Sequence, residues 1–166
     1  MDARSNYREL CAAIGEMLRP LGFKGTAGNY YRDVGDVVHV FSVQKSTSSS
    51  TEAFRFCLNS GLWSRVVGNC LVRNRGEVPK NTGNCHSSHR LMFANRPTKD
   101  LWWTVNDEKD LVSVLIDLTQ ILVHEEVPRL NMILKTDHLV SEWRRSFPDW
   151  IEIISAHNEN REPRLF

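Results

Sequence analysis

The sequence predicts an α+β fold: an N-terminal helix, a central mostly antiparallel sheet, and C-terminal helices packed on one face of it. Three observations carry this. Before residue 22, apolar residues recur at three- and four-residue steps, and between 29 and 105 they fall in β-branched and aromatic runs with stretches of alternation. Helical spacing returns after residue 107. Helix, then strands, then helices is not the β–α alternation of a parallel nucleotide-binding sheet.

Tyr7, Leu10, Cys11, Ile14, Met17, Leu18 and Leu21 share one helical face, and Cys11 reads there as a small buried hydrophobe. Asn6 is placed to cap this helix, with Glu9 as a capping-box carboxylate. Pro20 and Gly22 stop it, because proline lacks a donor and glycine tolerates the left-handed turn. Lys24-Gly25-Thr26-Ala27-Gly28 reads as a turn ahead of a hairpin. Residues 29–34 and 37–45 have strand composition, and Gly35-Asp36 connects them. The Ser/Thr tract at 46–51 reads as a solvated loop. Residues 53–60 alternate, with Phe54, Phe56 and Leu58 on one face and Arg55, Cys57 and Asn59 on the other. Residues 62–72 read as a fourth strand bent at Gly68, and 73–84 as a long loop. Residues 85–94 and 102–105 read as further strands.

Asn106 is the expected cap of the next helix, and Asp107 and Glu108 suit its positive end. Leu111, Val114, Leu115, Leu118, Ile121 and Leu122 form its apolar stripe. Pro128 ends that helix or starts another carrying Leu130, Ile133 and Leu134. Residues 137–147 form a shorter helix, which Pro148 breaks. Residues 1–155 are expected as one domain and 156–166 as a polar, mobile tail.

The chain has 166 residues, 41% hydrophobic and 25% charged, with a net charge of +1. This length can bury a core without a disulfide or a structural metal. The charge balance argues against a dedicated duplex-DNA binder. No stretch approaches the ~18 apolar residues of a membrane-spanning helix. The first residues carry no apolar run, so the expected location is the cytoplasm. Cys11, Cys57, Cys70 and Cys85, scattered without a C-x-x-C pair, are expected there as thiols. There is no phosphate-binding loop, no dinucleotide glycine fingerprint and no H-E-x-x-H, and no cofactor is expected.

A string of motifs carries a family resemblance. In order they are Leu18-Arg19-Pro20-Leu21-Gly22-Phe23-Lys24, Asn29-Tyr30-Tyr31-Arg32, Gly35-Asp36-Val37-Val38 and Phe41-Ser42-Val43-Gln44-Lys45-Ser46. Phe56-Cys57-Leu58-Asn59-Ser60-Gly61, His89-Arg90-Leu91, Trp102-Trp103 and Val127-Pro128-Arg129-Leu130 follow. From Leu18 to about Leu139 the chain resembles a bacterial family known as domain of unknown function 4304. The resemblance implies no catalytic residue. The basic stretch at 73–80 reads as local variation on the pattern.

Cys85-His86-Ser87-Ser88-His89-Arg90 holds the residue types of a zinc site or a cysteine–histidine couple. A structural zinc needs four ligands, and the other histidines show no matching spacing. On a strand, Cys85 and His89 would face one way and His86 the other, so no metal is expected. Gln44, Arg55 and Asn59 stand on otherwise apolar strands. With Arg90 they could line one sheet face and present a bidentate donor to a carboxylate, phosphate or peptide. Of Trp102 and Trp103, one is expected in the core and the other at an interface.

The function that follows is a non-catalytic intracellular protein-binding module, of immunity or antitoxin type, using Gln44, Arg55, Asn59, Arg90, Trp102 and Trp103 against a protein partner. A small enzyme or ligand-binding domain using Arg55, Asn59, Cys85, His86 and His89 is the alternative. RNA or single-strand binding through Arg65, Arg73, Arg75 and Lys80 is a third reading, which the charge balance disfavours.

Overall fold

A computed structural model describes residues 3–50, 52–70, 78–92, 102–143 and 148–162. The expected α+β architecture is present. Helix α1 (Ala3–Leu18) and a 3₁₀ turn lead into β1 (Lys24–Thr26), β2 (Asn29–Val34), β3 (Val37–Lys45) and β4 (Phe54–Ser64). After α2 (Arg65–Cys70) and a 3₁₀ turn at Thr82–Asn84 come β5 (Ser87–Arg90) and β6 (Trp103–Val105). Helix α3 (Glu108–Thr119) runs through a π-helical turn (Gln120–Glu126) into α4 (Val127–Leu130); α5 (Thr136–Trp143) and α6 (Pro148–Asn158) close the described chain.

The sheet is antiparallel in the order β1-β2-β3-β4-β5, with β6 also pairing β4. Its spine is the β3–β4 ladder, from Val37 opposite Ser64 to Lys45 opposite Phe56. Strands β5 and β6 share one edge of β4. Arg90 faces Asn59 and Trp103 faces Phe56, and the Leu91 N–H donates to the Leu58 carbonyl at 2.8 Å.

One face carries the main core. Phe41, Phe54, Phe56, Leu58 and Leu62 of the sheet pack with Leu10, Ile14 and Leu18 of α1, Leu111 and Leu118 of α3, and Ile153 and Ile154 of α6. The other face has a smaller cluster of Val38, Val40 and Trp63, with Tyr31, Val78 and Cys85 against it.

Several sequence expectations are corrected, each for a local reason. Asn6 does not cap α1; the helix begins at Ala3, and Asn6 lies inside it with none of its surface exposed. Residues 24–26 are not only a turn but the edge strand β1, joined to β2 through Ala27 and Gly28, both at positive φ. Within the strand expected at 62–72, residues 62–70 are instead the end of β4 followed by α2, and 71–72 lie outside the described residues. Gly61 sits inside β4 because Cys85 packs on it: a Cβ there would stand 2.7 Å from the Cys85 Sγ. The Ser64 hydroxyl then accepts from the Val67 N–H at 3.2 Å and turns the chain into a helix. The α3 cap is Asp107, whose carboxylate accepts from the Asp110 N–H, while Asn106 donates to the Asp110 carboxylate at 2.7 Å. Pro128 needs no correction: it stands in the first turn of α4, one of the two outcomes expected for it. Pro148 starts α6, as its fixed φ suits a first helical position, while residues 144–147 of the helix expected at 137–147 lie outside the described residues. Helix α6 reaches Asn158 and buries Ala156, inside the segment expected as tail.

Candidate functional site

Strand alternation places Gln44, Arg55, Cys57 and Asn59 on the sheet face opposite the main core. Arg90 joins them because β5 sets it across from Asn59. The Gln44 side-chain oxygen accepts from the Asn59 amide at 3.1 Å and lies 3.6 Å from the Cys57 Sγ. Trp102, half-buried, enters β6 on this same side. The Arg90 guanidinium lies 4.7 Å from its ring centre and the Arg55 guanidinium 5.8 Å. An aromatic face attracts a cation through its quadrupole, so the ring holds two guanidiniums close together despite their like charge.

Five of the six expected surface residues therefore come together: Gln44, Arg55, Asn59, Arg90 and Trp102. Trp103 does not. It points to the opposite face, stacks on Phe56 at 5.3 Å, and donates its indole N–H to the Asp117 carboxylate at 3.3 Å.

The remaining half of this face is covered by residues 78–86. The Thr82 N–H donates to the Ser42 hydroxyl at 2.9 Å, and His86 stacks on Trp63 at 5.6 Å. Cys85 stands at the end of the 3₁₀ turn rather than on β5. It consequently shares the Gly61–Trp63 side with His86, while His89 faces the main core. The expected grouping of Cys85 with His89 is thus reversed. Burial pushes the Cys85 thiol up to about 12 and the His86 imidazole down to about 4. The two are a neutral thiol and a neutral ring, the opposite of an activated thiolate couple. Among the described residues no group of three histidine, cysteine or acidic side chains could hold a metal ion. Among the described residues Cys11, Cys57 and Cys85 form no disulfide.

Of the basic run, Arg65 lies in α2, ion-paired to Asp33 and over the Trp63 ring, and Lys80 is exposed. Arg73 and Arg75 lie outside the described residues.

A second polar group, under the main core face, escaped the sequence reading. Glu126, at the end of the π-helical turn, is buried beneath the sheet. Arg129 donates to it twice, at 2.8 and 2.9 Å, and His89 Nε2 approaches to 3.5 Å. Burial alone would raise its carboxyl, but these hydrogen bonds outweigh it and hold it at about 2. Nearby, His39 donates from Nε2 to the Ile133 carbonyl at 2.8 Å and accepts at Nδ1 from Arg32 at 3.0 Å. Burial, helped by the neighbouring Arg32 and Arg129 and opposed by the Ile133 bond, lowers its pKa to about 4. Arg32 also donates to the Leu21 carbonyl and to Asn131. The available signal was parity: Arg32 and His39 stand at core-facing positions of their strands, where a polar residue needs a partner. The network ties the segment after α3 to the sheet.

Among the described residues no helix is long and apolar enough to cross a membrane. No curated protein and no solved structure matches the chain. Residues 14–132 match the family described as Domain of unknown function (DUF4304), and with most of its length in that match, including β1 to β6 and the Trp102 surface, the chain belongs to this family.

Proposed function

We propose that the chain is an intracellular, non-catalytic protein-binding module whose contact surface is the sheet face around Trp102. The observation that carries this is the arrangement of the Arg90 and Arg55 guanidiniums over one half-buried indole, 4.7 and 5.8 Å from its centre. Tryptophan and arginine are the residue types that dominate binding energy at protein interfaces. Two guanidiniums beside an amide pair select a partner rich in carboxylates, which accept two parallel hydrogen bonds from each arginine. The protonated Cys85 thiol and neutral His86, with His89 on the other face, support a non-catalytic reading. An immunity- or antitoxin-type role is its specific form, in which the captured partner is an enzyme silenced by the complex.

The test is a pull-down of the tagged full-length protein from its native cells, followed by binding measurements with Trp102→Ala and Arg55→Ala. One stoichiometric partner is expected, with affinity lowered at least ~30-fold by Trp102→Ala, the loss typical of a hot spot. Far-UV circular dichroism of both variants should match the parent. A partner bound equally well by both variants, or a copurifying small molecule with no protein, overturns the reading.

A further inference from the structure

We infer that the groove between α1 and the β1–β2 turn is a separate binding site for a small organic anion, a carboxylate or phosphate on an aromatic or aliphatic body. The groove encloses about 570 Å³ and shares no residue with the Trp102 surface. Small-molecule sites span ~300–1,000 Å³.

Its floor is aromatic and fixed. Tyr30, 2% exposed, donates its hydroxyl to the Cys11 carbonyl of α1. Its ring rests against Gly15, where a Cβ would stand 3.3 Å from the ring edge. A glycine inside a helix costs ~1 kcal/mol relative to alanine. Here it lets the ring lie against the helix backbone. Tyr7 lies beside Cys11, and burial, aided by Cys11, raises its phenol to about 12, so it stays a neutral donor.

The wall is equally set. Ala27 and Gly28 form the β1–β2 turn at φ 55° and 86°. Only glycine adopts this conformation without cost, so Ala27 is held there by the ladders on either side. A Cβ on Gly28 would come within 3.2 Å of the Tyr7 hydroxyl and 3.3 Å of the Cys11 Sγ. The Gly28 carbonyl accepts from the Val43 N–H at 2.7 Å, which locks the turn to β3. A groove built this way is open before any ligand arrives, which lowers the ordering cost of binding.

Charge chooses the ligand. Arg4, Arg8 and Arg19 line the groove with one carboxylate, Glu16, which already pairs with Arg19 at 2.6 Å. Among the described residues neither Arg4 nor Arg8 has an acidic partner. They stand four residues apart on α1, one turn above the other, where both can reach one anionic group. An apolar floor under an arginine rim fits an amphiphilic anion and disfavours a neutral or cationic ligand.

The experiment is calorimetric titration of the full-length protein with octanoate and phenyl phosphate, against octanol, benzyl alcohol and inorganic phosphate. At least one of the two anions should bind saturably, and the neutral alcohols and bare phosphate at least tenfold more weakly. Arg4→Gln/Arg8→Gln should weaken the anion at least tenfold. Ala12→Trp, which fills the groove from an exposed position of α1, should abolish binding, and Trp102→Ala should leave it unchanged. Each variant is first shown to melt like the parent. No saturable binding of either anion up to about 10 mM, equal binding of the neutral alcohols, or full binding by Ala12→Trp overturns the proposal. None of these outcomes depends on whether the Trp102 surface finds its partner.

Discussion

Acid should unfold this domain in a window set by two buried histidines. His39 has none of its surface exposed and His86 has 6%. Both hold hydrogen bonds that use a neutral ring: His39 Nδ1 accepts from Arg32, and His86 Nδ1 accepts from the Ser64 N–H at 3.0 Å. Burial lowers each from 6.5 to about 4. The sign follows from proton counts. Between pH 6.5 and 4 the unfolded chain binds protons at these two sites and the folded chain does not, so stability falls as pH falls. Each pKa unit is worth about 1.4 kcal/mol, so each histidine removes about 3 kcal/mol by pH 4, and the pair about 6. Domains of this size are stable by only ~5–15 kcal/mol. Glu126 acts lower down. Its carboxyl sits at about 2, below its ordinary 4.5, so its contribution is whole above pH 4.5 and is lost as pH falls toward 2. The assay is urea unfolding at half-unit steps from pH 7.5 to 4.5, followed by tryptophan fluorescence. Stability should be flat above pH 7, then fall at a slope approaching about 2.7 kcal/mol per pH unit. His86→Asn, which keeps an acceptor near Nδ1 but cannot titrate, should halve that slope. A parent curve flat from pH 7 to 5, or an unchanged slope in His86→Asn, refutes the reasoning.

Two further outcomes follow from packing. The Asn6 side chain is fully buried in α1, and among the described residues its amide nitrogen and oxygen have no hydrogen-bond partner. Asn6→Leu should therefore stabilise the fold by about 1–2 kcal/mol, read as a higher urea midpoint at unchanged m-value; a lower midpoint would show that the amide is satisfied. Gly61→Ala should cost about 1–3 kcal/mol, because its methyl would meet the Cys85 Sγ at 2.7 Å, and Cys85→Ala in the same chain should recover part of the loss.

Much of the candidate surface was legible because a strand has a period of two. Once Arg55 and Asn59 fall opposite Phe54, Phe56 and Leu58, their common face follows, and a hairpin brings Gln44 beside them. The same logic divided Trp102 from Trp103. What it could not supply was contact from distant chain. Gly61 reads as the end of a strand unless Cys85 is known to lie on it, and Val66-Val67 reads as strand unless the Ser64 hydroxyl is known to cap a helix. Asn6 has the chemistry of a cap, and only the core contact of Ala3 makes it an interior residue. The Glu126 network joins β2, β3, β5 and the π-helical turn. It was legible only in part: Glu126 and Arg129 stand three residues apart and parity marks Arg32 and His39, but His89 and the Ile133 carbonyl come from remote chain that no local spacing records.

The edge of β4 has a last implication. Asn59 faces Arg90, while Phe56, three residues earlier, faces Trp103, thirteen residues later, so the chain spends ten residues more than an unbroken ladder needs. In register, β5 and β6 are a single strand with a passage inserted at its middle. Through pairing with β4, the sheet fixes both flanks of this passage. Arg90 and Trp102 stand at its two ends. One strand edge thus acts as a clasp, bringing together an arginine and an indole that stand twelve positions apart in the chain.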